Sequence, residues 1–496
     1  MKLKLIAAAA LAMTSSVSFA ATSLACDTTT AEKMVNTCAP EASLFVAGSS
    51  ALGGNINAIL PDLFDNTKTL VKIVDTSATG TANGNKSATT AWYGTSKAAA
   101  TGGTAKRVFV IYNNNNGSAA GVSLVMGKLG KTGNPVEANI VTVGPTKNVA
   151  NTCTVDATTA TTYTSTTVNG NTINHYIVNC TQTADSLADL AFTDVRAQEL
   201  YSLYSIAAKA KVADYVQVPI GIQGFGLAVN WPMYQALQTA QKGKNLPSTC
   251  NAGDTTAACV PNIRRVDYAT LVTDVMPAAN KSAALFGLDD SLITLARRDD
   301  LSGTQATSNI FFANNACGNI PLKSTNLGGK LDLVGTVDTA KFKSTMSATS
   351  SGVKSALGAS TGYVIGMLGL EDRSSTSSWP TGPVKASTYN FVKIDNYSPL
   401  FNADGTVAYK ARTAFANGDY PIAVTSYAVY PKLLDTKPSE KTVLAKFVFN
   451  AMRDSTKGDQ TGLAYLDGAT DADANKPKQS KVKQPNGNNC SPLIRM

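Results

Sequence analysis

Arg298-Asp299-Asp300-Leu301-Ser302-Gly303-Thr304-Gln305 brings charge, hydroxyls and a glycine together at the mouth of an expected helix. Upstream, Leu292-Ile293-Thr294-Leu295-Ala296 reads as a short buried strand. Downstream, residues 306–316 carry Ile310, Phe311 and Phe312 at helical spacing. Strand, tight loop and helix start therefore follow one another. The unbonded N–H groups of a helix start point outward and carry partial positive charge, which suits an anion. Ser302 and Thr304 add hydroxyls, Gly303 lets a ligand approach the backbone, and Arg298 supplies counter-charge. An ion pair between Arg298 and Asp300 beside an ordinary serine cap is the competing explanation for this stretch taken alone.

Outward from it, the same pattern recurs. Residues 41–48 read as a strand ending in the turn Gly48-Ser49-Ser50. Leu52, Ile56, Ile59, Leu60, Leu63 and Phe64 then recur at helical spacing, so Ser49, Ser50 and the N–H of Ala51 stand at a helix start. Residues 106–112 form another buried strand, running into a loop with Gly117, Ser118 and Gly121. A shorter strand over 187–193 delivers Asp194 at its end. The run Gly127-Lys128-Leu129-Gly130-Lys131-Thr132 is superficially like a phosphate-binding P-loop, but Val125 stands where its first glycine belongs.

Residues 215–230 read as an extended segment able to cross between domains, 420–430 as a return strand, and 441–452 as a closing helix with Val443, Leu444, Phe447, Val448 and Met452 on one face. Strands alternating with helices predict an α/β fold with mixed, mostly parallel sheets. A chain that leaves a domain and returns predicts two lobes, the first from 21–228 and 418–496, the second from 229–417. Residues 66–105 and 146–184, rich in Thr and Asn or Ala with little periodicity, read as insertions in the first lobe.

The bulk properties set limits. A chain of 496 residues exceeds one small core. Lys2, Lys4, the apolar run Leu5 to Met13 and Ser18-Phe19-Ala20 read as a secretory signal cleaved near Ala20, placing the mature chain in the periplasm or outside the cell. Eight cysteines in an exported chain predict disulfides; proximity favours Cys26–Cys38, Cys153–Cys180, Cys250–Cys259 and Cys317–Cys490 among about 105 possible connectivities. There is no Cys-x-x-Cys, and His175 is the only histidine, so neither metal nor cofactor is implied. The formal charge is +9, spread thinly, and falls to +7 without Lys2 and Lys4. Such a field collects small anions, but no basic helix interleaved with aromatics argues for nucleic acid.

With these motifs in view, the chain resembles the phosphate-binding proteins of phosphate ABC transporters, which have the type 2 periplasmic binding protein fold. Glu41 to Ala51 is similar to the family's first strand and small-residue loop, residues 117–122 to its Gly-Ser-Ser-Gly-Gly loop, and residues 189–194 to the strand ending in a ligand-contacting aspartate. Arg298 to Thr304 resembles the Arg-x-Asp-x-Ser-Gly-Thr signature. The resemblance implies a two-lobed, non-catalytic receptor that captures inorganic phosphate for the membrane subunits of an ABC importer. It assigns the ligand to Ser50, Ala51, Ser118, Asp194, Arg298, Asp300, Ser302, Gly303 and Thr304. Two departures stand out: Ala51 where the family often has an aromatic, and Leu301 in place of a usual glycine.

The chemistry is consistent with that implication. Hydroxyls and amide N–H groups satisfy a dehydrated dianion, and an arginine adds a forked contact. A carboxylate from Asp194 or Asp300 accepts the proton that phosphate still carries and sulfate lacks; a mismatched buried polar group costs about 1–3 kcal/mol. Two other classes remain open on sequence. A phosphate-ester hydrolase needs a base, for which the sequence offers only His175 and a short Ser-x-x-Lys match at Ser351 to Lys354. An extracellular interaction protein that keeps the cleft accounts for the insertions and extra cysteines.

Overall fold

A computed structural model of the chain describes residues 26–49, 51–75, 89–113, 117–126, 139–140, 153–155, 164–168, 171–180, 184–185, 188–200, 215–273, 281–299, 302–314, 335–338, 342–347, 349–372, 388–408, 412–436, 439–454, 464 and 480–496. The expected signal sequence, Cys317, Ser50, Asp300 and Leu301 lie outside them.

The architecture is mixed α/β around a fifteen-stranded sheet. One half centres on β1 (Ala42–Gly48), with β4 (Arg107–Asn113) and β10 (Leu190–Thr193) parallel on either side. Beyond β4 it continues through β3 (Thr89–Thr95) and β2 (Leu70–Asp75) to β8 (Asn171–Cys180), which is edged by β6 (Cys153–Val155) and β7 (Thr164–Val168). In the other half, β13 (Ile293–Arg298) lies parallel between β15 (Lys343–Ser347) and β16 (Tyr363–Gly369), with β14 (Gly335–Asp338) antiparallel to β15. Two long strands join the halves. β19 (Ala423–Pro431) pairs with β10 and with the first part of β11 (Tyr215–Asn230), whose later part pairs with β16 and β17 (Tyr389–Phe391). Two-stranded ribbons complete the set: β5 (Asn139–Ile140) with β9 (Ala184–Asp185), β12 (Asn262–Ile263) with β18 (Lys393–Ile394), and β20 (Val482–Lys483) with β21 (Ile494–Arg495).

Parallel pairing is thus concentrated around β1 and β13, and antiparallel pairs are the more numerous among the described strands. The expectation of mostly parallel sheets is corrected to that extent. The long joining strands and the run β2–β3–β4 supply the antiparallel pairs, which tight turns can connect; parallel neighbours need a crossover. The two segments expected as insertions carry strands. Residues 66–105 hold β2 and β3, and 146–184 hold β6, β7 and β8, so both segments build sheet. Their threonines are β-branched and suit strands, while the many small residues conceal the alternation in the sequence.

The helices are α1 (Ala31–Thr37), α2 (Gly53–Ile59), α3 (Gly117–Met126), α4 (Ala197–Leu200), α5 (Trp231–Gln241), α6 (Arg265–Thr273), α7 (Gly303–Ala313), α8 (Ser350–Leu357), α9 (Thr413–Ala416), α10 (Leu433–Thr436) and α11 (Glu440–Arg453). The expected closing helix is α11; Ser439 and Thr442 cap its start reciprocally, and it buries Leu444, Ala445, Val448 and Met452 against the β1 half. Among the described residues no helix is long and apolar enough to cross a membrane.

Cys26–Cys38 and Cys250–Cys259 are disulfides, as expected, and Cys490 is disulfide-bonded. β6 and β8 set Cys153 opposite Cys180 in register. Such bonds are the chemistry of an oxidising compartment. His175 is a buried residue of β8, packed edge-on against Trp92 with ring centroids 4.9 Å apart. Burial and Lys72 hold its pKa down at about 4, so it sits neutral in the core.

Candidate functional site

Three chain segments from the β1 half and two from the β13 half meet at the C-terminal ends of the parallel strands. The loop after β1 is fixed first. Gly48 has φ +132°, and a Cβ there would lie 2.0 Å from the Phe192 carbonyl oxygen; only glycine lets the chain turn so tightly against β10. Ser49 N–H then donates to the Phe192 carbonyl (2.8 Å), and the buried Tyr112 hydroxyl donates to the Ser49 carbonyl (2.5 Å). The helix α3 is equally close: a Cβ on Gly121 would lie 2.4 Å from Gly48 Cα. That backbone contact carries Ser118, in the first turn of α3, to the end of β10.

Asp194 lies at the centre of the assembly, immediately after β10 and 1% exposed. Ser49 Oγ donates to its Oδ1 in a very short bond. Ser118 Oγ donates to Oδ2 (3.3 Å) and accepts from the Asp194 N–H (3.2 Å). Burial pushes the Asp194 carboxyl up to about 6, against the lowering effects of Ser49, Arg298 and Ser118.

The β13 half brings the helix start to the same carboxylate. A Cβ built on Gly303 would fall 2.3 Å from Asp194 Oδ2 and 2.5 Å from Ser118 Oγ, so the glycine backbone rests directly on both groups. Ser302 caps α7 by accepting from Gln305 N–H (3.4 Å). Thr304 is 1% exposed, and its Oγ1 is buried with no hydrogen-bond partner, an unused donor in the first turn. Arg298, the last residue of β13, is also 1% exposed and donates from Nη1 to Ser350 Oγ (3.1 Å) at the start of α8. Burial lowers its pKa, and Asp299, Asp194 and Asp372 act to keep it charged.

Of the residues expected from sequence, Ser118, Asp194, Arg298, Ser302, Gly303 and Thr304 converge here. Ala51 lies beside them, buried, its N–H donating to Ser49 Oγ (3.0 Å). Ser50 and Asp300 are outside the described residues. Ser49, placed at the helix start by the sequence, is the serine that reaches Asp194, while Ser350 and Gln223 were not singled out from sequence. Gln223, on β11, donates to the Ala51 carbonyl (3.4 Å). A separate cavity of about 640 Å³, lined by Lys393, Tyr397, Phe401, Asn402 and Asp404 among others, shares no residue with this cluster.

The arrangement offers a guanidinium, hydroxyls, helix-start N–H groups and one carboxyl that ionises near pH 6. Guanidinium, hydroxyl and helix-start N–H groups are donors that suit an anion, and a carboxylate is an acceptor that suits a proton-bearing group.

No protein-family model and no curated protein matches the chain. Solved structures do. One is a Clostridium perfringens protein described as a phosphate ABC transporter substrate-binding protein, with bound phosphate. It is 13% identical, with a TM-score of 0.40 over 86% of this chain and 100% of that one. Another is an ABC-type phosphate transport receptor from Vibrio cholerae, 11% identical, with a TM-score of 0.33 over 82% of this chain and 93% of that one.

Proposed function

We propose that the chain is an exported substrate-binding protein that captures inorganic phosphate between its two sheet halves, as two lobes, and delivers it to the membrane subunits of an ABC importer. The observation that carries this reading is the meeting of Asp194 with the α7 helix start and Arg298, from opposite halves of the sheet, with Ser49 and Ser118 filling the same few ångströms. Serine, threonine and amide donors match phosphate oxygens, Arg298 balances charge, and Asp194 accepts the proton of hydrogen phosphate. Sulfate, having no proton, presents a lone pair to that carboxylate and is rejected. The site acts by binding alone.

Isothermal titration of the mature protein with phosphate and with sulfate tests the reading. Phosphate is expected to bind at least about 100-fold tighter, the equivalent of about 3 kcal/mol. Equal affinities, or no heat from either anion, would overturn it.

A further inference from the structure

A second carboxyl, one of its oxygens closed to solvent, lies near the site. Glu371 follows β16 in the short turn Leu370–Asp372, which packs on the middle of β11. The residue as a whole is half-buried, but its Oε1 is closed to solvent and has no hydrogen-bond partner. The side chain folds back over its own strand: a Cβ on Gly369 would lie 2.1 Å from Oε1 and 2.4 Å from Oε2. Gln223 of β11, which contacts the Ala51 carbonyl, is within hydrogen-bonding reach of the Glu371 carboxyl. Glu371 therefore lies one side chain away from the loop that holds Ser49.

Its electrostatic surroundings are mostly negative. Asp372 is beside it in the turn, the negative charge of Asp194 acts on it in the same sense, and Tyr389 of β17 feels both Glu371 and Asp372. The nearby positive charges are committed elsewhere: Lys354 of α8 pairs with Asp372 at 2.7 Å, and Arg298 is held by Ser350 and the charges of Asp299, Asp194 and Asp372. Burial, with Asp372 and Asp194 adding to it, pushes the Glu371 carboxyl well above the usual range. A site that must admit an anion cannot keep two ionised carboxylates in reach of one another, because Asp194 already uses the single proton of hydrogen phosphate.

We propose that Glu371, one side chain away from the loop that holds Ser49, belongs to the anion site and that anion capture requires its carboxyl to be un-ionised. This rests on the phosphate-binding reading and adds to it. Capture then requires one proton on Glu371 as well as one on the ligand, and affinity falls with rising pH faster than the chemistry of phosphate and Asp194 alone dictates.

The test is the phosphate Kd by isothermal titration from pH 6 to pH 9 for the wild type and Glu371→Gln, which keeps the shape and removes the proton. The ratio of wild-type Kd to variant Kd is expected to rise at least about tenfold across the range, since each pH unit past an ionisation is worth a factor of ten. Parallel pH profiles would overturn the proposal and leave the receptor reading standing; no phosphate binding by the wild type would overturn both. A second measurement needs no variant. The infrared carboxylic-acid carbonyl band of the wild-type protein with isotopically labelled glutamate is expected to persist at neutral pH and to shift on adding phosphate. A spectrum with only ionised glutamate would also overturn the proposal.

Discussion

At Asp194 a single buried side chain ties stability to pH and, on the proposed function, ligand choice to a proton. Its folded pKa of about 6 lies above the ordinary value of 3.8. A carboxyl raised in this direction contributes stability that is fully present below its unfolded pKa and is lost as pH rises through the folded one. Ligand-free protein is therefore expected to lose about 3 kcal/mol from this group between pH 4 and pH 7. Urea unfolding midpoints should show the loss in the wild type and not in Asp194→Asn. On the proposed function the same substitution removes the proton acceptor, so the ratio of phosphate to sulfate affinity should drop about 10- to 100-fold in competition titrations. Gly303→Ala is the complementary test. A methyl group 2.3 Å from Asp194 Oδ2 has no room, and phosphate binding should fall at least about 100-fold, at about 1–3 kcal/mol of stability. Much of this residue-level picture was legible in the sequence. Arg298, Ser302, Gly303 and Thr304 sit in one contiguous motif, and Asp194 and Ser118 each follow a recognisable strand. That Ser49 hydrogen-bonds to Asp194 was not legible, because the turn at Gly48 decides where it faces, and φ is not written in the composition. Glu371, Gln223 and Ser350 were illegible for another reason: each becomes relevant only through packing between segments far apart in the chain.

At the level of elements, the site depends on how closely α3 approaches the end of β1. Gly121 and Gly48 touch backbone to backbone, so Gly121→Ala must push the helix and its Ser118 away from Asp194. The expected result is a destabilisation of about 1–3 kcal/mol in thermal or urea unfolding, with weaker phosphate binding in titration. Ser439→Ala supplies a contrast: it removes the cap of α11, which hydrogen-bonds to none of the site residues, and should cost about 1 kcal/mol with the phosphate Kd unchanged. Helices and strands near the site were readable because their apolar spacing is strong. The strands β2, β3 and β8 were not, since threonine, alanine and glycine dilute the pattern and the sheet, more than local preference, decides their conformation.

For the whole molecule, the proposed function has a thermodynamic consequence: a ligand that binds the folded chain and not the unfolded one adds to global stability. Phosphate at one hundred times its Kd should raise the unfolding free energy by about 2.7 kcal/mol, visible as a higher melting temperature that sulfate at the same concentration does not give. The joining strands have a different consequence. β11 is one continuous strand shared by both halves, paired first with β19 and then with β16 and β17, with its register slipping between Pro219 and Gly221. Neither half is a detachable module. A fragment expressed from the middle of the chain would begin by severing a strand, leave β16 with a bare hydrogen-bonding rim, and accumulate as aggregate instead of a miniature receptor.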